Sequence, residues 1–447
     1  MNNRLVVMDF SICLILIFTF SVCCSTLWAD SSASSSTDYK LKEKAQEGKE
    51  GKLGFHYYWD DGFRIDSQEK KLRVKMNLLI NVDAGNIDAD DDLDDAFPDL
   101  EGSTIELRIL QLHVSGTVSD SMEFKAQFEF SDDEFNMKDL WYGFNQVPYL
   151  GHLRIGHLKE PFSLEELTGS QSITFMERSL PTRAFAPARN AGIRIDNTGL
   201  GERLHWSLGA FLSIGDLKNE DDLFDVFNEH SGYDLTARIG GIPWYSENAE
   251  KLVHLGASYS HFFRDDGDSD ARLRASSRPE SFLTDERLVD TGDVFTDGAD
   301  LTDIEVAIVS GPFSLQGELF HIFTDAEGDP HYWGFYIYGS FFLTGESRQY
   351  DVSKATFTPE EPEHGFRPRK GRWGAWEIAF RYSYIDLNDK GIRGGKEKNL
   401  TAGLNLYMGP KVRLMFNYVH ARVEDRAEPY IHDKSADIFQ TRFQITF

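Results

Sequence analysis

Cysteine is almost absent: the three cysteines stand at positions 13, 23 and 24, and none follows. All three lie in a leader in which Arg4 precedes an apolar run from Leu5 to Val22. Small and polar residues follow, which predicts a secretory signal peptide over residues 1–29. An uncleaved membrane anchor is the alternative, because the run approaches the length of a span. A mature chain without cysteine is not a disulfide-stabilised secreted domain.

After the leader, the sequence also lacks long apolar runs and an excess of positive charge. No later stretch is apolar enough over some 20 residues to form a spanning helix, and the mean hydropathy is −0.40. Asp and Glu number 73 against 46 Lys and Arg, a net charge of −27. This acidity argues against nucleic acid as a partner. The chain is therefore either soluble or a barrel whose lipid-facing side chains are hidden in an alternating pattern.

The sequence is rich in segments in which apolar and polar residues alternate. In the last ten residues, Ile438 to Phe447, apolar side chains mostly alternate with polar ones. The same period of two recurs in segments such as Leu72–Asp83, Met122–Phe130 and Trp376–Tyr384. Strands of this kind have one apolar and one wet face. Together with 34 Phe, 17 Tyr and 8 Trp, they predict a transmembrane antiparallel β-barrel with aromatic girdles. Tandem soluble β-sandwiches remain the alternative.

The segments count to about sixteen strands, an even number as a single-chain barrel requires. Their predicted starts are 71, 104, 121, 136, 149, 191, 202, 234, 251, 302, 313, 332, 374, 397, 411 and 436. Short links at 119–121, 146–148, 311–312 and 409–410 would be periplasmic turns. Long links at 84–102, 158–190, 215–233, 264–301 and 424–435 fall on the other side. One long link, 345–373, falls on the short side. A polar N-terminal lead-in over residues 30–57 precedes the barrel at 58–447.

Several longer motifs carry a family resemblance. They are Arg154–Pro181, Gly311–Leu319, Ser340–Tyr350, Gly374–Glu377, Arg381–Asp389 and Gly403–Val419. In these motifs the chain resembles the phosphate-selective porins (O and P type), in order, from about Tyr58 to its end. The resemblance implies a sixteen-stranded barrel in the bacterial outer membrane, usually a homotrimer, with a pore narrowed by an infolded third loop. It also implies outer-membrane lipid and lipopolysaccharide as partners.

The third long link supplies the candidate pore residues. Pores select ions by rings of charged side chains, and the arginine fork matches oxyanions. The predicted anion constriction comprises Arg154, Lys159, Arg178, Arg183 and Arg189. Alternatively, these cations pair with Glu160, Glu165, Glu166 and Glu177 and only hold the loop to the wall. Along the C-terminal strands, Glu377, Arg381, Arg413 and Arg442 are predicted to face the lumen, and Phe380, Phe416 and Phe443 the lipid.

The sequence departs from the family where substrate matters. Family members typically carry several arginines before the Ser115-Gly116 pair, whereas the run 108–113 contains only Arg108. We therefore predict a general porin that passes small hydrophilic solutes, including oxyanions such as phosphate, by passive diffusion. A secreted or surface-exposed all-β glycan-binding protein is the alternative.

Catalytic and metal-binding motifs are not found. Nucleophile-elbow, zinc-protease and P-loop motifs are absent, so no enzyme and no cofactor are predicted. Two acidic stretches, Asp88–Asp92 and Asp266–Asp270, place carboxylates at alternate positions as calcium loops do. Neither completes the calcium-loop pattern, so no metal site is assigned.

Overall fold

The computed structural model describes residues 49–50, 54–131, 134–213, 232–246, 250–264 and 272–447. Sixteen antiparallel strands in these ranges form one closed sheet, as predicted. They are β1 (Leu72–Ala89), β2 (Gly102–Val118), β3 (Met122–Ser131), β4 (Glu134–Val147), β5 (Gly151–Lys159), β6 (Arg189–Gly199), β7 (Leu204–Ser213), β8 (Gly232–Tyr245), β9 (Lys251–Arg264), β10 (Val294–Ser310), β11 (Phe313–Ala326), β12 (His331–Phe342), β13 (Ala375–Asp389), β14 (Ile392–Gly409), β15 (Val412–Arg426) and β16 (Ile431–Thr446).

Closure comes from pairing of the last strand with the first. The register runs from Ala436 opposite Ala89 to Thr446 opposite Leu79. Every barrel strand therefore has a neighbour on both sides, and the backbone donors and acceptors along the wall are satisfied within the sheet. A closed sheet of this kind is one of the two structures that can cross lipid.

Alternation along each strand separates an apolar outer face from a polar inner face. On the outside, Phe380, Phe416 and Phe443 are 66%, 41% and 43% exposed. Arg381 and Arg442, on the same strands but of opposite facing, are buried inside the barrel. The period-2 pattern of the sequence thus corresponds to the two faces of the wall.

Most links at one end of the barrel are short, whereas the long infolded loops lie at the other end, where short links also occur. Short turns at 119–121, 148–150, 200–203, 311–312 and 410–411 lie at the end that carries the C-terminus, the periplasmic end in such barrels. The long link between β12 and β13 lies at this same end. It contains the short strands Tyr350–Asp351 and Thr356–Phe357 and a 3-10 helix, Pro368–Lys370. The exception in the predicted pattern is therefore an elaborated periplasmic turn.

Three links at the opposite end fold into the barrel. Loop 1 is residues 90–101 with helix α1 (Asp91–Ala96), and loop 3 is residues 160–188 with α2 (Leu164–Leu167) and α3 (Leu180–Phe185). Loop 5 spans 265–293, and its described part carries strands Arg272–Leu273, Ser276–Ser277 and Val289–Asp290. No helix in the described ranges is long and apolar enough to cross a membrane. The predicted link 424–435 is wrong in extent, because β15 and β16 continue to Arg426 and from Ile431.

The infolded loops share an apolar core inside the barrel. This core was not predicted from the sequence. Its loop members include Leu93, Phe97, Phe162, Phe175 and Leu288, all buried against wall residues. Glycines in the wall make room for this packing. A Cβ on Gly334 would lie 2.9 Å from Pro181 of loop 3, and one on Gly403 would lie 3.2 Å from Phe175. Glycine within a strand commonly marks such a close approach.

A small N-terminal hairpin precedes the barrel. Strands Phe55–Trp59 and Phe63–Ser67 pair with each other, and the second pairs with the start of β1, from Phe63 opposite Met76 to Asp66 opposite Arg73. The proposed lead-in boundary at residue 57 falls inside the first of these strands. The signal peptide prediction, residues 1–29, lies outside the described residues, as does most of the lead-in.

Candidate functional site

Loop 3 is fixed against one half of the barrel wall. The Glu318 carboxylate on β11 accepts hydrogen bonds from the backbone N–H groups of Leu164 (2.9 Å) and Glu165 (2.8 Å). The backbone N–H of Leu180 donates to Ser383 Oγ on β13 at 3.1 Å. With further contacts to β8, β9 and β14–β16, the loop covers the wall from β8 to β16 and leaves the other half of the lumen open.

The four residues predicted to face the lumen all contact loop 3 or its surroundings. Arg413 donates to the backbone oxygens of Ile173 (2.7 Å) and Thr174 (2.8 Å). Arg381 donates to the backbone oxygen of Glu177 at 3.0 Å, and its Nη2 lies 2.6 Å from a Glu280 carboxylate oxygen. Such charge-assisted bonds are short and strong. They hold the loop to the wall.

Glu377 and Arg442 complete this set of anchors. The Glu377 carboxylate accepts hydrogen bonds from Asn405 and from the hydroxyl of Tyr407, both at 2.8 Å. Asn405 also donates to the backbone oxygen of Thr174 in loop 3 at 2.9 Å. The Arg442 guanidinium contacts Asp83 at 2.6 Å and Glu177 at 2.5 Å. Arg442 therefore connects the wall to loop 3 and also borders the open half of the lumen.

The open half of the lumen forms a passage of about 950 Å³ between loop 3 and strands β2–β7. Nineteen of its lining residues carry charged side chains. Seven carboxylates line it, against twelve cations: Arg108, Lys125, Lys138, Arg154, Lys159, Arg178, Arg183, Arg189, Arg194, Arg278, Lys354 and Arg442. All five residues of the predicted constriction are in this group. In a chain of net charge −27, the lining therefore holds more cations than carboxylates, and three of those cations pair with carboxylates just beyond it: Arg442 with Asp83, Arg278 with Asp285 and Lys354 with Asp351.

Most of the cations share a carboxylate with a second cation. Asp139 lies 2.7 Å from Lys125 and 3.3 Å from Arg189. Glu166 lies 2.6 Å from Lys159 and 3.0 Å from Arg178. Asp196 is similarly placed between two arginines, Arg154 at 2.6 Å and Arg194 at 3.0 Å. Of the four loop glutamates named as alternative partners, Glu166 and Glu177 pair with these cations, whereas the carboxylates of Glu160 and Glu165 contact other residues. The pairs that form still leave cations in excess among the lining residues.

Glu177 in loop 3 is the most crowded of the carboxylates. It contacts Arg108 at 3.3 Å, Arg442 at 2.5 Å and Arg183 at 3.8 Å. Burial alone would raise the pKa of Glu177, but the charges of the three arginines outweigh burial and lower its pKa to about 2. Arg178 and Lys159 likewise lower the pKa of Glu166 against its burial. Both loop carboxylates are therefore ionised at neutral pH.

Three of the arginines pack against one aromatic ring from loop 5. The guanidinium carbons of Arg108, Arg278 and Arg183 lie 3.3, 4.1 and 4.5 Å from the ring centroid of Phe282. Guanidinium groups at such distances are attracted by the ring quadrupole. Five lining residues were not predicted from the sequence: Phe282, Arg278, Lys125, Lys138 and Arg194. Lys125, Lys138 and Arg194 could have been found from their inward positions on the strands. No sequence pattern indicated that Phe282 and Arg278 of loop 5 line the passage.

The acidic stretches considered as calcium loops have other partners or lie outside the described ranges. The Asp90 carboxylate accepts a hydrogen bond from the backbone N–H of Ser435 at 2.7 Å, and Asp92 pairs with Lys434. These contacts join loop 1 to the start of β16. Asp266–Asp270 lies within residues 265–271, outside the described residues.

A comparison with known proteins assigns the family. The model of the family described as phosphate-selective porin O and P matches residues 74–447. The chain belongs to this porin family. Among its relatives is Porin O of Pseudomonas aeruginosa, 24% identical over 433 residues, covering 86% of this chain and 91% of the relative. An uncharacterized protein of Caulobacter vibrioides is 28% identical over 366 residues, covering 80% and 70%.

Solved outer-membrane proteins share the fold of this porin. The outer membrane channel DcaP of Acinetobacter baumannii aligns with 86% of this chain and 99% of its own, with a TM-score of 0.53 and 10% identity. A loop L8 deletion mutant of OmpT from Vibrio cholerae aligns with 84% and 100%, with a TM-score of 0.52 and 10% identity. These structures confirm the fold, while membership of the porin family confirms channel function and outer-membrane location and disfavours the glycan-binding alternative.

Proposed function

We propose that this porin is a diffusion channel with a mild preference for small anions, including oxyanions such as phosphate. The observation that carries the proposal is the excess of cations over carboxylates along the passage. The family description and the Porin O relative support oxyanions as the solute class. No catalytic role is proposed.

Local charge outweighs net charge in such a passage. At physiological salt the Debye length is about 8 Å, so acidic groups at the loop tips are screened from an ion inside the barrel. Within the confined lumen, screening is weaker and the lining cations act directly on the ion. An anion therefore meets an attractive field although the whole chain is acidic.

The shared carboxylates set the strength of that attraction. Conduction requires sites that are favourable enough to enter and weak enough to leave. Each carboxylate held between two cations, such as Asp139 or Glu166, keeps the cations in place and cancels part of their charge. Ile109 and Gln111 line the same passage where further arginines would strengthen binding. We therefore propose mild anion preference without tight phosphate binding.

Single-channel reversal potentials test the selectivity. In a KCl gradient across a planar bilayer, the wild-type channel should show a reversal potential toward that of chloride. Arg183→Ala and Arg189→Ala, each of which removes one lining cation, should reduce the anion-to-cation permeability ratio. Arg422→Ala is the matched control, because Arg422 pairs with Asp433 outside the passage. Cation preference in the wild type, or equal effects of all three variants, would contradict the proposal.

Phosphate competition tests the solute class. Added phosphate should reduce chloride current only at millimolar concentration and above, because the carboxylates shared between cations weaken the attraction of each lining site. Block at micromolar phosphate would show that the channel is phosphate-selective in the strict sense. A current insensitive to phosphate up to molar concentration would remove oxyanions from the proposal.

The assembled state is proposed from the family resemblance. A homotrimer embedded in outer-membrane lipid and lipopolysaccharide is expected, with the exposed apolar outer faces covered by lipid or by neighbouring copies. Light scattering of the detergent-extracted protein should give the mass of three chains, and a monomer mass would count against this assembly.

A further inference from the structure

Three acidic side chains converge behind loop 3, away from the passage. Asp303 and Glu305 lie two residues apart on β10 and face the lumen side of the wall, and Glu318 on β11 stands directly opposite Glu305 in the register. One oxygen from each carboxylate lies within 4.8 Å of those of the other two. All three residues are buried, at 1%, 1% and 3% exposure. Like charges directly opposite each other destabilise a sheet unless something compensates them.

Within the described residues, cationic and hydrogen-bond donor groups only partly compensate the three carboxylates. The Arg238 guanidinium binds Glu305 through two bonds of 2.7 Å, and His254 contacts the same carboxylate at 2.9 Å. Glu318 accepts hydrogen bonds from Leu164, Glu165 and the hydroxyl of Tyr336. Asp303 differs, because neither of its buried oxygens has a hydrogen-bond partner within the part of the chain that is described. If all three carboxylates are ionised, the single guanidinium of Arg238 leaves two negative charges of the cluster uncompensated, and a buried unpaired charge is costly.

We infer that this cluster binds one divalent cation, calcium in particular, between β10 and β11. Calcium prefers carboxylate oxygens at about 2.3–2.6 Å, so two oxygens on opposite sides of the ion can be up to about 5 Å apart. The three carboxylate oxygens, which lie within 4.8 Å of one another, are compatible with that span. Magnesium usually keeps several of its waters and is seldom held by protein ligands alone, so a dry cluster of three protein carboxylates suits calcium better. The all-oxygen set also disfavours zinc, which selects nitrogen and sulfur ligands.

The position of the cluster indicates what the ion does. Glu318 holds the first residues of α2 in loop 3, and the Ser258 hydroxyl connects Ser163 of that loop to Glu305. An ion shared by Asp303, Glu305 and Glu318 fixes these acceptors in place and so fixes the near end of loop 3. Because loop 3 forms one side of the passage, calcium binding is expected to stabilise the open width of the pore.

Metal content and stability of the purified porin test the site. The protein is stripped with EDTA, dialysed against calcium and analysed for bound calcium per chain, alongside thermal unfolding. Asp303→Asn should lose one calcium per chain relative to the wild type and should lose the calcium-dependent rise in Tm. Glu397→Gln is the matched control, because Glu397 is a buried carboxylate on β14 that lies outside the cluster.

Each outcome decides the inference. Equal calcium content in the wild type and Asp303→Asn would overturn it, since other acidic groups would then hold the ion. A stripped wild type whose Tm does not respond to calcium would also overturn it and would indicate that the carboxyl groups share protons. If Asp303→Asn fails to assemble, terbium luminescence of the wild type decides the same question. Terbium bound beside Tyr336 should be sensitised by that ring, and calcium should displace the signal; an absent signal would overturn the site.

Discussion

Replacement of Phe416 by arginine tests the lipid-facing surface most directly. Phe416 is 41% exposed on the outside of β15, between Leu404 and Thr441 on the neighbouring strands. It stands four residues beyond Val412, the first residue of the strand. At a rise of about 3.3 Å per residue and a tilt of about 40°, these four residues place Phe416 about 10 Å above the periplasmic turn. That depth is close to the middle of an apolar band about 25 Å tall.

The expected cost follows from that depth. An arginine near the bilayer midplane on the outside of a barrel costs about 2–4 kcal/mol, whereas one near the interface costs about 0–1 kcal/mol. Phe313 supplies a matched control, because it is 44% exposed and begins β11 directly after the turn at 311–312. Phe416→Arg should therefore be less stable than Phe313→Arg by about 2–3 kcal/mol, a difference of more than tenfold in the folding equilibrium.

Urea titration of protein folded into phospholipid vesicles measures this difference. Tryptophan fluorescence follows unfolding, and the heat-dependent gel mobility of folded barrels confirms the folded fraction. Equal losses for the two variants would refute the reasoning, because a soluble fold has no depth-dependent penalty. A larger loss for Phe313→Arg would show that the membrane position along the barrel axis is wrong.

Three further predictions concern the chain end, the loop and the charges. Deletion of Phe447, whose backbone N–H donates to Leu78, should prevent assembly, measured as loss of folded protein in the outer-membrane fraction. Arg413→Ala should loosen loop 3 and raise single-channel conductance and its noise while leaving ion selectivity unchanged. Glu177→Gln should raise the anion-to-cation permeability ratio and, because it leaves buried arginines with less compensation, lower stability by about 3–5 kcal/mol, measured by urea titration.

The strands were predictable because alternation is a local property. Each of the sixteen predicted starts corresponds to a barrel strand, and most differ from the observed start by no more than two residues. The largest difference is at β10, predicted from residue 302 and observed from Val294. In the skipped residues, 294–301, two Asp, one Gly and one Thr interrupt the apolar pattern. Outside the membrane, the outer face of a strand meets water, so apolar alternation ends while the hydrogen-bonded ladder continues.

The passage was predictable only in part, because its lining depends on which half of the wall loop 3 covers. Loop cations such as Arg178 and Arg183 could be selected from the length and position of the link. Lys125 and Lys138 sit on strands whose inward face is evident from the pattern, yet the sequence does not indicate that this face borders open space. Phe282 and Arg278 come from a distant loop, and their approach to Arg108 depends on packing among three loops.

Charged lumen residues were expected either to select ions or to hold loop 3 to the wall, and these two roles apply to different halves of the barrel. On the covered half, Arg381 and Arg413 lie buried and bind loop 3 through its backbone oxygens. On the open half, cations such as Arg189 and Arg154 share carboxylates and remain next to the passage. Replacement of a residue in the first group should therefore change the width of the pore, and replacement in the second should change the sign and strength of its field. Conductance and reversal potential measured on the same variants separate these two effects.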